Sequence, residues 1–198
     1  MSIPNKYMLF SALMILVFSK NHATAQSKDL VESKAEIFMA KNVLHADFAW
    51  SAVGYSLNYG RIIFQKDKLK LAGSAGFSML FQDEIESIHS GYVKPVFLTE
   101  ITAFSGRSKH NLEFGTGFYT YRDKRYYVDG EIPGTTTNKA FWVKSIVPRV
   151  GYRYQKPEGG FFFRIGYTPR IDFINEEFAL ETVNFYLFGL SSSLGLSF

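Results

Sequence analysis

The chain has 198 residues, no cysteine and a formal net charge of +4, two charges of which, Lys6 and Lys20, lie in its amino-terminal leader. That length allows one domain; the missing thiols exclude a disulfide framework, a thiolate metal site and a lipid-anchored cysteine, and the small, scattered positive charge excludes a nucleic-acid partner. Aromatic residues make up 17% of the sequence, with 20 Phe and 12 Tyr, and so much ring surface needs an apolar environment to meet.

Residues 1–25 read as a secretory signal peptide: a charge at Lys6, an apolar core from Tyr7 to Phe18, and a small-x-small site at Ala23-Thr24-Ala25. That core is far shorter than the roughly 20 residues of a membrane-spanning helix. Residues 26–41 are mixed and charged without a sustained period, and read as a periplasmic lead-in to a domain over 42–198.

From there on, short alternating segments recur between turn residues. The expected strands are Val43–Trp50, Tyr55–Phe64, Lys68–Phe81, Tyr92–Phe104, Asn111–Tyr121, Ala140–Tyr154, Gly160–Arg170 and Phe185–Phe198. Val43–Trp50 carries the weakest signal, because the connection after it, Ser51–Gly54, is brief where a long one is expected; an even strand count nevertheless requires it. The other connections alternate short and long: Gln65–Asp67, Gln82–Gly91, Ser105–His110, Arg122–Lys139, Gln155–Gly159 and Ile171–Asn184. Pro148 and a change of oily parity, from Phe141 and Val143 to Ile146, Val150, Tyr152 and Tyr154, predict a β-bulge between Lys144 and Pro148.

In the last segment every second residue back from the end is Phe198, Leu196, Leu194, Ser192, Leu190, Phe188 and Tyr186, against Ser197, Gly195, Ser193, Ser191 and Gly189. Successive strand side chains point to opposite faces, so one face is oily and the other small and polar. A final strand of this pattern ending on Phe resembles the outer-membrane β-barrel proteins of Gram-negative bacteria, specifically their small uncharacterised members. The resemblance implies an all-β fold, an eight-stranded antiparallel up-and-down transmembrane barrel in the bacterial outer membrane. It also implies that Tyr186, Phe188, Leu190, Leu194, Leu196 and Phe198 form the signal read by the barrel-assembly machinery.

The oily faces are expected to meet lipid, because an eight-stranded bore is only wide enough for its own side chains and these rings would overfill it. Tyr92, Trp142, Phe185 and Tyr186 at the outer strand ends, and Phe104, Tyr154, Phe161 and Phe198 at the periplasmic ends, are read as two interfacial girdles. Parity then sends Asp47, Glu100, Glu113, Arg149, Arg153, Arg164 and Arg170 inward, with His45 and Lys70. Charges in so narrow a bore must pair or stay hydrated.

The function expected is non-catalytic, structural or surface-interacting, in a monomer whose partners are outer-membrane lipid and lipopolysaccharide. Two rivals are a porin-like small-solute channel and a lipid A-modifying enzyme. The second would need a Ser nucleophile and a His base, for which Ser87-Ile88-His89-Ser90 is the local candidate. No cofactor or metal is expected, since His45, His89 and His110 fall on different elements and His22 leaves with the leader.

Overall fold

The structure, a computed structural model, describes residues 34–49, 54–84, 91–128, 136–175 and 182–198. Residues 1–25, expected to be a signal peptide, the segment Gln26–Ser33, Trp50 and the Ser87–Ser90 candidate lie outside the described residues.

Ten strands occur among the described residues: β1 (Asn42–Ala49), β2 (Gly54–Lys66), β3 (Leu69–Gln82), β4 (Tyr92–Ser105), β5 (His110–Val128), β6 (Thr136–Gln155), β7 (Gly160–Tyr167), β8 (Arg170–Asn175), β9 (Thr182–Tyr186) and β10 (Leu190–Ser197). From β1 to β7 each strand pairs antiparallel with the next, β8 pairs with β6 and β9, and β10 pairs with β7 and β1, so the sheet closes on itself. The first strand, the weakest in the sequence, pairs along its whole length with β2 and along Val43–Ala49 with β10.

β8 and β9 are continuations of β7 and β10 rather than extra staves, which makes the barrel eight-stranded. β6 pairs with β7 up to Val150↔Tyr167 and with β8 from Ile146↔Ile171, in one unbroken register. That register sets Pro148 opposite Pro169, so the gap in the ladder falls where two residues without an N–H face each other. The bulge expected between Lys144 and Pro148 is not there: β6 pairs with β5 without a shift from Tyr154 to Thr136. From Phe141 to Gln155 the odd residues of β6 face inward, Val143 among them, while Lys144 faces out.

An irregularity does occur in the last strand. β8 pairs Arg170 with Tyr186 and β7 pairs Tyr167 with Leu190, so Thr168-Pro169 is matched by the three residues Leu187, Phe188 and Gly189. One extra residue reverses the parity beyond it. Leu190, Leu194, Leu196 and Phe198 therefore face out together, whereas Tyr186 belongs with the other set and lies under the Arg170 guanidinium, 4.0 Å from it. Phe188 stands almost fully exposed on the bulge. A second bulge lies in β2 between Ile62 and Phe64, and it lets Ile63 and Phe64 both face outward.

The end that carries Asn42 and Phe198 (proximal, below) has three tight connections. The first is a two-residue turn, Asp67-Lys68, with Asp67 at φ 49°. In the third, Gly159 and Gly160 take φ of 103° and 104°, and a Cβ on Gly159 would come within 2.8 Å of the Ser197 carbonyl oxygen. At the distal end the strands run further than expected. Most of Arg122–Lys139 is the β5–β6 ribbon, paired out to Val128↔Thr136, and Ile171–Asn184 is largely β8 and β9.

Candidate functional site

Three layers fill the bore. The middle one is ionic, and strand parity builds it from Asp47 on β1, Glu100 on β4, Glu113 on β5, Arg149 and Arg153 on β6, and Arg164 on β7. Arg164 is its hub: its guanidinium lies 2.7 Å from Glu100 Oε1, 3.1 Å from Asp47 Oδ2 and 3.6 Å from Glu113 Oε1, and its Nε donates to Ser193 Oγ at 2.8 Å. Arg149 Nε stands 3.3 Å from Glu100 and 3.8 Å from Glu113, while its Nη1 donates to Ser191 Oγ at 2.8 Å. Arg153 completes the set with Glu113 at 3.4 Å and two bonds to Gln155 Oε1 at 2.6 and 3.0 Å. Three carboxylates thus meet three guanidiniums, with Asn58 donating to Asp47 at 3.1 Å and Thr102 to Glu100 at 2.7 Å. Burial of ions is tolerable only with this kind of pairing and saturation of lone pairs.

His45 sits beside the hub, its Nε2 3.5 Å from Asp47 and its ring 5.2 Å from that of Phe162. Arg170 is not part of the network. It pairs with Asp172 at 3.1 Å nearer the distal end, where Ser145 also donates to Asp172 at 2.6 Å. Pro169 ends the oily alternation in the sequence, and Asp172 was accordingly expected in a loop.

The proximal layer is apolar and was not expected. Lys34–Lys41 crosses the mouth of the barrel, and Phe38 enters it, fully buried against Ile62, Ala72 and Phe104. Glu36 N–H donates to the Arg107 carbonyl at 2.8 Å, Phe38 N–H to Gln65 Oε1 at 3.1 Å, and Met39 and Ala40 N–H to the Pro157 carbonyl at 2.9 and 3.0 Å. This strap is bonded to the end of β2, to the β4–β5 turn and to the β6–β7 turn. Lys70 lies wholly buried beneath it, donating to the Gly106 carbonyl at 2.6 Å with its ammonium 4.6 Å from the Phe38 ring centre. Phe104, expected in a lipid-facing girdle, instead stacks on Arg153 inside the bore, at 4.2 Å. Tyr92, expected in the outer girdle, also lies on the inward parity and donates its O–H to Asp123 at 3.1 Å.

The distal layer is Val96 and Tyr119 with Leu80, Leu98, Tyr121 and Val147 packed around them. Between it and the ions lies a cavity of about 50 Å³, bordered by Asp47, Ser56, Asn58, Glu100, Arg149 and Ser191. A water needs about 10–15 Å³ on this measure, so the space holds a few waters and no larger solute.

Outside, the outward parity carries Leu57, Phe97, Ile101, Phe114, Phe118, Val150, Ile165 and Leu194, all exposed. Trp142 stands exposed within β6, and Phe161, Phe185 and Phe198 stand exposed near strand ends. Fold and site define a class: a closed eight-stranded antiparallel barrel, oily outside and ion-paired within.

No protein-family model matches the chain, and no curated protein matches it. Among solved structures it is similar to the N-terminal β-barrel domain of Pseudomonas aeruginosa OprF, at 11% identity over 80% of this chain and 96% of that one, with a TM-score of 0.42.

Proposed function

We propose that this chain is an integral outer-membrane barrel with a non-catalytic, structural or surface-interacting role, entering the membrane as a monomer after removal of residues 1–25. The observation that carries the reading is the sorting of side chains. A belt of exposed Leu, Ile, Val and Phe rings the wall, far larger than the few hundred Å² a water-soluble monomer tolerates, while arginines and carboxylates occupy the axis. In hydrocarbon the backbone must be satisfied internally, as a closed sheet does. Leu190, Leu194, Leu196 and Phe198 supply the apolar face expected of an assembly signal; Tyr186 falls outside that face, and Phe188 projects from the bulge.

Fractionation of expressing Gram-negative cells tests the reading. The protein is expected in the outer-membrane fraction, migrating differently on gels before and after boiling. Recovery from a periplasmic extract without detergent would overturn it. Two apolar layers and an ionic layer block the bore, which favours the sealed barrel over the channel.

A further inference from the structure

The outward face of the β5–β6 ribbon changes character where the oily belt ends. Moving distally, its opposed pairs are Phe118↔Ile146, Thr120↔Lys144, Arg122↔Trp142 and Lys124↔Ala140. The first pair is exposed and apolar, and Lys144, Arg122, Trp142 and Lys124 above it are exposed as well. Opposed and diagonal neighbours in such a ladder stand about 5–8 Å apart, so the three cations and the indole share one patch.

The acid in this stretch, Asp123, is turned to the other face. There its carboxylate holds Lys94 Nζ at 2.8 Å and the Tyr92 hydroxyl at 3.1 Å. Among the described residues no carboxylate lies within ion-pair distance of Arg122, Lys124 or Lys144; Lys124 leans over the Tyr92 ring at 5.0 Å. An ordinary solvated surface intersperses both signs. Here one sign is collected on the outward face, directly above the belt and beside a tryptophan.

We propose that Lys144, Arg122 and Lys124 form a binding site for the phosphate of an anionic lipid headgroup, with Trp142 seated at the interface beside it. A phosphate oxygen accepts several charge-assisted bonds at once, and an indole favours the headgroup level, where its ring is dry and its N–H wet. The belt below gives the acyl chains of the same lipid a continuous apolar wall. The assignment rests on the membrane-embedded reading.

The test uses the full chain carrying Trp50→Phe, which leaves Trp142 as its one tryptophan. It is reconstituted in phosphatidylcholine vesicles doped with brominated phosphatidylcholine or brominated phosphatidic acid. Quenching by the brominated phosphatidylcholine is expected whatever the headgroup preference, and its absence overturns the membrane-embedded reading itself. Phosphatidic acid is expected to quench with about fivefold or greater preference, the size of one engaged surface cation. Arg122→Gln/Lys124→Gln/Lys144→Gln is expected to bring the two lipids near parity, whereas Lys124→Arg/Lys144→Arg keeps the preference. Heat-modifiable migration reports that each variant is folded; if the triple variant is not, Lys144→Gln alone is expected to show a smaller drop. Parity in the parent, or a preference that survives neutralisation, overturns the site. Loss of the preference to millimolar inorganic phosphate overturns the lipid as its ligand.

Discussion

Arg164 shows how much of this molecule depends on single buried side chains. It contacts carboxylates from β1, β4 and β5, so its loss leaves Asp47 and Glu100 without their closest cation. Arg164→Met is expected to cost about 3–5 kcal/mol, the range for stranding one side of a buried pair. The measurement is the urea midpoint of the barrel refolded into vesicles. The double variant Arg164→Met/Glu100→Gln should cost less than the two single changes added together, because the second change removes a charge whose closest cation is already gone. Phe38→Ala removes a fully buried ring from the strap and is expected to cost about 3–5 kcal/mol by the same assay. Conductance across planar bilayers should stay silent in that variant, since the ionic layer still blocks the axis; sustained opening would show that Phe38 alone is the seal.

At the scale of elements, the sequence is legible where the outward face is oily. Strict alternation matches the faces of β3, β5 and β7, on which Glu113 and Arg164 point inward. Beyond the belt the rule inverts: Val143 packs inside the distal bore while Lys144 faces out. Read as a single oily face, that reversal suggests an inserted residue in β6, whereas the true insertion is at Leu187–Gly189, where Leu and Phe on consecutive positions hide it. The strap was illegible for a different reason, since one ring among charged residues produces no period. The β5–β6 ribbon was read as a loop because four successive charges, Arg122-Asp123-Lys124-Arg125, leave no alternation to follow.

That ribbon carries its own expectation. The β4 ladder stops at Val96↔Tyr121, leaving Arg122–Val128 paired to one neighbour only. Its amides should exchange with solvent deuterium faster than those of Leu112–Thr120, which have strands on both sides. Equal protection would mean that the ribbon is covered.

For the whole molecule, the proposed function divides stability between two environments. On that reading the oily belt contributes through transfer to hydrocarbon, and the bore contributes through its own packing and ion pairing. Detergent micelles should therefore be required for solubility even though the interior is complete without them. The parent chain in planar bilayers is expected to pass no sustained current, because apolar and ionic layers fill the bore and the cavity beside Asp47, Glu100 and Arg149 has room for only a few waters. A stable ohmic conductance would mean that the three layers rearrange.

The strap adds a matter of timing. Phe38 rests on side chains from β2, β3 and β4, and its neighbours are held by turns on either side of β5 and β6, so a sheet still lacking its final staves offers no complete seat. Docking of this segment is therefore expected to be a late event, a latch thrown after the circle has joined. The native chain has no thiol, so a lone cysteine introduced at position 38 would resist maleimide only once assembly is finished, and the delay before that protection would clock ring closure.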